Sequence, residues 1–368
     1  MAKVCHVSSA HDPHDVRILI KECRSLAKAG HDVSFVVFGE SELYDNVNIV
    51  GLGDPPLSRK DRMTKGAKKA IERAVGLGAD IYHLHDPELL IYASSLRSNG
   101  AKVVFDSHED VPAQILSKPW IPAPARKLVS KLYSVVETRA MRNIDAVVAA
   151  TPFIAGQFAD RVPVVTDVNN YPLLDDVDFQ ERPFEDRDAV ACYVGGISDI
   201  RGKDLMVSAM EGLEGSLVLA GPCEGDVPVS EGVEYVGILD RSGVNDLYGR
   251  SVVGLVMLKP TANYLNSRPI KMYEYMAAGL PVVASDFPAW REVIEETQCG
   301  LCVDPYNHEA AKMAIQTFLH DRLRAQRMGR NGRLAVERKY NWACEEGKLL
   351  DLYRNLLSIA PTSREQND

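Results

Sequence analysis

Short uninterrupted runs of Val, Ile, Leu and Ala recur along this chain, and segments with helical periodicity separate them. The runs predict strands at 3–7, 33–38, 47–51, 80–84, 102–106 and 145–150. A second series is predicted at 189–194, 216–220, 233–236, 252–258, 281–285 and 300–303. Continuous apolar character, without alternation, marks strands buried on both faces of a parallel sheet. Between the strands, Val16, Leu19, Ile20, Cys23, Leu26 and Ala27 fall on one face of a helix over 14–30, and Gly30 stops it. Strand–helix–strand alternation occurs twice, in halves of similar length. That predicts an α/β protein of two doubly wound, Rossmann-like domains facing across a cleft. The 368 residues suit two domains.

The expected domains span 1–170 and 189–340. The junction at 171–188 is acidic, contains Pro172 and Pro183, and has neither periodicity. A helix is expected at 341–358, followed by a polar, disordered tail at 359–368.

Charge is unevenly placed. Of 42 basic and 51 acidic residues, 21 and 20 lie in 1–170, leaving 21 and 31 in the rest. The basic excess of a general nucleic-acid binder is missing. The seven cysteines are scattered, and charged residues enter the N-terminus too early for a secretory h-region, so reduced thiols in the cytoplasm are expected. Cys299-x-x-Cys302 lacks the second pair that zinc would want, and reads as small core residues on a strand. No apolar run is long enough to span a bilayer.

In open parallel sheets, ligands sit beyond the carboxyl ends of the strands. After the first strand of the second domain comes Gly195-Gly196-Ile197-Ser198-Asp199-Ile200-Arg201-Gly202-Lys203, opening a helix. Glycines permit close backbone approach, and a helix start with Arg201 and Lys203 suits a diphosphate. The spacing is neither a Walker loop nor GxGxxG, and a tight turn alone would also explain it. A second segment, 259–269, leads into a short helix from Ile270 to Ala278, stopped by Gly279. Lys271 and Glu274 share one face of it. A nucleotide sugar needs a cation for its diphosphate and a carboxylate for its ribose diol, and this face offers both. A surface ion pair is the plainer alternative.

Gly195-Gly196-Ile197 with Arg201-Gly202, Leu217-Val218-Leu219-Ala220-Gly221-Pro222, Tyr235-Val236-Gly237, Pro269-x-Lys271-x-x-Glu274-Tyr275-Met276-Ala277-x-Gly279-x-Pro281-Val282 and Cys299-Gly300-Leu301 occur in order. This series resembles the retaining glycosyltransferases of family 4, which have the GT-B fold. Asp15-x-Arg17-Ile18, Ser25-Leu26-x-x-x-Gly30-His31-x-Val33 and Phe105-Asp106-Ser107-His108-Glu109 extend the resemblance more loosely into the first half.

The resemblance implies metal-independent transfer, without a cofactor, of a sugar from a UDP- or GDP-sugar to a glycan or lipid-linked acceptor, as in cell-surface polysaccharide biosynthesis. By the same resemblance, the second domain takes the donor and the first the acceptor. Glu274 would hold the ribose, Arg201 and Lys271 the diphosphate, and the backbone near Gly237 and Ile238 the base. Gly195 and Gly196 would admit the donor, His108 would approach the transferred sugar, and the 341–358 helix would cross back to the first domain.

Two positions depart from the family pattern. Asn266 stands eight residues before Glu274, where many members carry a second Glu, and Gly196 stands where many carry Arg. Asn266, Asn263 and the amides of 264–267 become candidates for the sugar hydroxyls. A sugar-nucleotide 2-epimerase or hydrolase of the same fold, or a non-catalytic nucleotide-sugar-binding subunit, are the alternatives.

In the first domain, Asp12, His14, Asp15 and Arg17 follow a strand and suit acceptor hydroxyls or phosphate. Helix capping by Asp12 or Asp15 is the alternative. His83 and His85, with His108, Glu109 and Asp110, have the spacing for a metal site. Strand-end histidines lining a polar cleft explain them equally well, and no metal is expected. Cations are dense at 59–73, at 118–142 and along Arg17, Lys21, Arg24 and Lys28, a stripe expected opposite the apolar face of the first helix. Such surfaces favour an anionic membrane, and contact at the inner face of the plasma membrane is the corresponding expectation. A solvated helix face is the alternative.

Overall fold

The computed structural model describes residues 1–97, 100–118, 120–177, 183–227 and 230–358. The chain divides into two compact units. The first holds 1–169 together with the segment from 345 onward, and the second holds 170–344. Residues 178–182 of the expected junction and the expected tail at 359–368 lie outside the described residues.

The first unit contains β1 (Lys3–Val7), β2 (Asp32–Val37), β3 (Glu42–Tyr44), β4 (Val47–Gly51), β5 (Ile81–Leu84), β6 (Lys102–Ser107), β7 (Ala146–Ala149) and β8 (Val164–Asp167). Their order is β3-β4-β2-β1-β5-β6-β7-β8, and only β3 runs antiparallel to its neighbour. β3 and β8, the two edge strands, escape the sequence pattern. β3 has three residues beside a tight turn, where Asp45 and Asn46 take positive φ, and β8 is only half-buried. The second unit contains β9 (Val190–Val194), β10 (Ser216–Ala220), β11 (Val233–Tyr235), β12 (Val253–Val256), β13 (Val282–Ser285) and β14 (Gly300–Val303). Its order is β11-β10-β9-β12-β13-β14, parallel throughout.

Both sheets are doubly wound. Strand order reverses direction between β1 and β5 in one unit, and between β9 and β12 in the other. The carboxyl ends of those strands are where ligands settle in this architecture.

The first helix departs from expectation. Residues Val16–Cys23 form a π-helical segment that passes into the α-helix Arg24–Lys28. Asp15 caps it, accepting from the amides of Arg17 and Ile18, and the Ile20 amide reaches back five residues to the Asp15 carbonyl. The wider winding shifts which side chains face inward. Val16 is left exposed, while Arg17 and Lys21 are buried. The expected basic stripe therefore does not form, and only Lys28 of its four members is fully exposed.

The segment expected as a linker packs into the second unit, with Tyr171, Val177 and Phe184 buried in its core. The last helix, Trp342–Ser358, buries Leu349, Leu352, Tyr353 and Leu356. Near its start, the Glu345 carboxylate accepts from the Asn169 amide at 2.8 Å, and Lys348 pairs with Asp167 at 2.9 Å. No helix of the described residues is long and apolar enough to cross a membrane. All seven cysteines are free; Cys299, just before β14, is fully buried, and Cys302, on β14, is partly so.

Candidate functional site

The second unit gathers its sequence-predicted residues at the switch point between β9 and β12. After β9, Gly195 takes φ +134°, and a Cβ added there would lie 2.7 Å from the Lys271 Nζ. A Cβ at Gly196 would lie 1.8 Å from the Arg201 guanidinium. Arg201 thus fills the space that a side chain at 196 would need. Gly202, at φ +78°, lets the turn pass against the Met257 carbonyl, where a Cβ would sit 1.7 Å away. At Gly202 the Met257 carbonyl and the positive φ both require glycine; at Gly195 the positive φ does, while the atoms met at 195 and 196 are movable ends of Lys271 and Arg201.

The helix Ile270–Ala277 buries Met272, Tyr273, Tyr275 and Met276, leaving Lys271 and Glu274 on its partly exposed side. The two do not pair with each other. Lys271 donates to the Tyr193 hydroxyl at 2.7 Å and lies 4.1 Å above that ring. Burial, reinforced by the Arg201 charge and opposed by Glu274, pushes its ammonium down to about 7. Glu274 accepts from Arg241 at 2.8 Å and from the Tyr248 hydroxyl at 3.3 Å. Arg201, half-buried, is hydrogen-bonded to Tyr264, which with the other facing groups outweighs burial and raises its pKa. Three charged side chains thus converge, two of them cationic when protonated. The arrangement suits a ligand carrying an anionic group and vicinal hydroxyls.

Asn266 ends the short helix Ala262–Leu265. The amides of 264, 265 and 267 are spent on turn bonds to Thr261 and Tyr264, so they are not available for a sugar. The Asn263 side chain lies outside the described residues. Trp290 anchors the segment through a 2.7 Å bond to the Ser267 carbonyl. Gly237, at φ +74°, binds the Gly221 amide through its carbonyl, and Ile238 beside it is 75% exposed. The sequence reading missed Arg241 and Tyr248. Asp240, a helix cap before Arg241, signalled the helix but not its partner 33 residues on.

In the first unit, His108 follows β6 and bonds the Asp106 carboxylate at 2.9 Å. Beside it lies a missed group. His11 sits 3.2 Å from Asp86, with ring centroid 5.0 Å from that of His108, and Ser8 donates to Asp86 at 2.8 Å. Burial alone would lower the His11 pKa, but the Asp86 carboxylate raises it. These residues follow β1, β5 and β6, three neighbouring strands, and that shared position was the available signal.

The other candidates scatter. Asp12 and His14 are exposed, and His14 pairs with Glu42 at 2.9 Å. Asp15 is spent as a cap. Arg17 is not an acceptor ligand: 5% exposed, it grips Asp106 through two bonds of 2.9 and 2.8 Å and donates to the Val168 carbonyl. His83 and His85 do not line an open cleft. They lie 0% and 2% exposed inside the unit.

Residues 175–335 match the family described as Glycosyl transferases group 1, and residues 16–168 match Glycosyltransferase Family 4. Together the matches take in most of both units. The chain belongs to the glycosyltransferases of family 4 type, with the GT-B fold. Among curated relatives, it is 22% identical over 221 residues to D-rhamnosyltransferase WbpZ of Pseudomonas aeruginosa, covering 56% of this chain and 58% of that protein. It is 34% identical over 85 residues to the GDP-mannose-dependent alpha-(1-6)-phosphatidylinositol monomannoside mannosyltransferase of Mycobacterium tuberculosis, covering 23% of this chain and 22% of that one. The matched stretches span less than two thirds of either relative. Among solved structures, sucrose-phosphate synthase from Thermosynechococcus elongatus superposes with TM-score 0.78 at 20% identity, covering 98% of this chain and 100% of that one. Anabaena HepE in complex with UDP-glucose gives TM-score 0.72 at 12% identity, covering 96% and 100%.

Proposed function

We propose that the chain transfers a sugar from a UDP- or GDP-sugar to a glycan or lipid-linked acceptor, with retention of configuration, in cell-surface polysaccharide biosynthesis. The observation that carries this reading is the helix Ile270–Ala277, where Glu274 and Lys271 lie on the partly exposed side beside Arg201. Glu274 binds the ribose diol. Lys271 and Arg201 neutralise the diphosphate as it leaves, supplying positive charge where negative charge develops. The backbone at Gly237 and Ile238 meets the base, and Gly195 and Gly196 admit the donor. Asn266 offers a neutral amide to the sugar hydroxyls in place of a carboxylate. In the first unit, His108 serves the sugar, and Asp12 and His14 remain the exposed acceptor-side candidates.

The names of relatives support a nucleotide donor of either base: one mannosyltransferase is GDP-mannose-dependent, and HepE was solved with UDP-glucose. Thermal shift with UDP, GDP, dTDP and their sugars names the base. Donor turnover is then measured with and without a lipid-linked acceptor. Stabilisation by none of the nucleotides rejects the proposal, and so does donor consumption that needs no acceptor. Binding without any turnover would instead favour a non-catalytic subunit, in keeping with Asn266.

The Lys271 ammonium, held near 7, makes binding pH-dependent. Only its protonated form attracts the diphosphate. Affinity for UDP or GDP is therefore expected to fall by about 25-fold between pH 6.5 and 8.5, and Lys271→Arg to flatten that profile. Calorimetric titration across the range tests this; a flat wild-type profile would contradict it.

The membrane expectation gains a surface. On the helix Ala123–Ala140, Leu128, Leu132, Val135 and Val136 are exposed on one side, with Lys127, Lys131 and Arg139 also exposed. Nearby Trp120 is exposed and stacks under Arg59, 4.5 Å from its ring, joining this patch to the exposed Lys60, Lys65, Lys68 and Lys69. An apolar stripe rimmed by cations suits an anionic lipid surface. Flotation is expected to recover the protein with phosphatidylglycerol-containing vesicles at several times the yield with phosphatidylcholine alone, and Leu132→Glu to reduce that recovery. Equal recovery on both vesicle types at low salt counts against membrane contact.

A further inference from the structure

A polar cluster fills the sheet face of the first unit beneath the first and last helices. His6 on β1 and His83 on β5 are register partners, and His85 follows just past the end of β5, two residues beyond His83, so all three share a face. Glu22 enters from the π-helical segment, and Tyr353 from the last helix. His6, Glu22 and His83 are 0% exposed, and His85 is 2% exposed. One ligand-type atom from each of these four residues lies within 4.8 Å of the others.

The hydrogen bonding of the cluster is incomplete in a particular way. The His83 Nδ1 meets the Tyr353 hydroxyl at 2.8 Å, while its Nε2 is buried without a partner. The His85 Nδ1 lies 3.4 Å from Asp106, and its Nε2 is 2.8 Å from the His6 Nδ1. The remaining nitrogen of His6 is 3.5 Å from Tyr353. Arg17 Nε lies 3.2 Å from Glu22, but its hydrogen bond goes to Asp106, and both Glu22 oxygens are buried without a hydrogen bond. Each imidazole thus has one nitrogen facing Tyr353 or Asp106; of the inner nitrogens, those of His6 and His85 hydrogen-bond each other and would have to part for an ion, while that of His83 has no partner. Partners of this kind are the ones that fix tautomers around metal-bound histidines, including the carboxylate–histidine pair. Glu22 thus has an ion-pair partner in Arg17 but no hydrogen-bond donor, and the His83 Nε2 has no partner, a costly state for buried polar atoms.

We propose that His6, His83, His85 and Glu22 form a buried site for a divalent first-row transition metal of the zinc type, with Tyr353 and Asp106 orienting the histidines. Three imidazoles and one carboxylate are a donor set such ions accept, and four donors close a tetrahedral shell. Asp106 also holds His108 and Arg17, so the ion would brace the scaffold beneath the candidate site of this unit. The π-helical segment has a matching role, because its winding turns Glu22 inward.

The test uses the full chain, expressed in zinc-supplemented medium and purified through an EDTA-containing column. Metal analysis is expected to find about one zinc per chain. Anomalous scattering at the zinc edge is expected to place it among these four residues, and zinc returned to the stripped protein to raise Tm. Glu22→Gln is expected to lower zinc retention at least about tenfold. If that variant does not fold, the wild-type content and the anomalous peak still decide. Substoichiometric zinc with no effect on Tm overturns the proposal. So does a peak elsewhere, or an infrared band of a protonated carboxyl that Glu22→Gln removes, which would mean that a proton shared between Glu22 and Asp106 completes the network.

Discussion

Glu274→Ala is expected to weaken UDP and GDP binding by about a hundredfold, read as Kd by calorimetry. A carboxylate accepting from ribose hydroxyls makes charge-assisted hydrogen bonds worth about 1.5–3 kcal/mol each, and about 2.7 kcal/mol corresponds to a hundredfold. The side chain is mostly shielded, at 15% exposure, which limits competition from water, but it is not in the core, so the fold should survive its loss. Arg241, released from its partner and 45% exposed, can be rehydrated. Arg241 and Tyr248 hold the carboxylate in place. The nucleotide therefore meets an oriented acceptor, and less ordering is needed on binding. Glu274→Gln is expected to fall between the two, since it keeps the acceptor oxygen and loses the charge. An unchanged Kd in the Ala variant would remove Glu274 from the ribose role.

Asp106→Ala is expected to destabilise the first unit by about 3–5 kcal/mol in urea denaturation, the cost of stranding a buried partner charge. Arg17 would lose both of its buried bonds to Asp106 and keep only the Glu22 carboxylate, 3.2 Å from its Nε and not hydrogen-bonded to it. Replacing both residues with apolar side chains of similar size is expected to recover much of the loss, since the pair's own desolvation would go with it. A loss below about 1 kcal/mol in the single variant would show that Arg17 finds water or another carboxylate. Burial would raise the Asp106 pKa, but Arg17 and His108 hold it well below the usual range. Because the folded-state pKa is depressed, this contribution is fully present above the unfolded carboxyl value of about 3.9. It is lost as pH falls below that value.

Much of this was legible along the chain. All twelve expected strands form, within a few residues at their ends, because a strand buried on both faces must be apolar at every position. The short or half-buried edge strands β3 and β8 lacked that signature, and β11, although expected, shows it least, being half-buried with Glu234 exposed. The Lys271 and Glu274 helix was legible for a similar reason: Pro269, the apolar spacing and Gly279 are local signals. Its environment was not, since Arg241 and Tyr193 reach it from 33 and 78 residues away.

The first helix marks the boundary most clearly. Apolar spacing over 14–30, a cap candidate in Asp12 or Asp15 and Gly30 as a stop were enough to place a helix there, and the structure selects Asp15 as the cap. Its phase depended on contacts made in three dimensions. Periodicity on a 3.6-residue turn places Arg17 and Lys21 in water, whereas the π-helical winding places them and Glu22 inside. That choice is set by Asp106, by the histidines of β1 and β5, and by Tyr353 from the last helix. Residues so far apart in sequence must be brought together before their charges and lone pairs can select one winding over another.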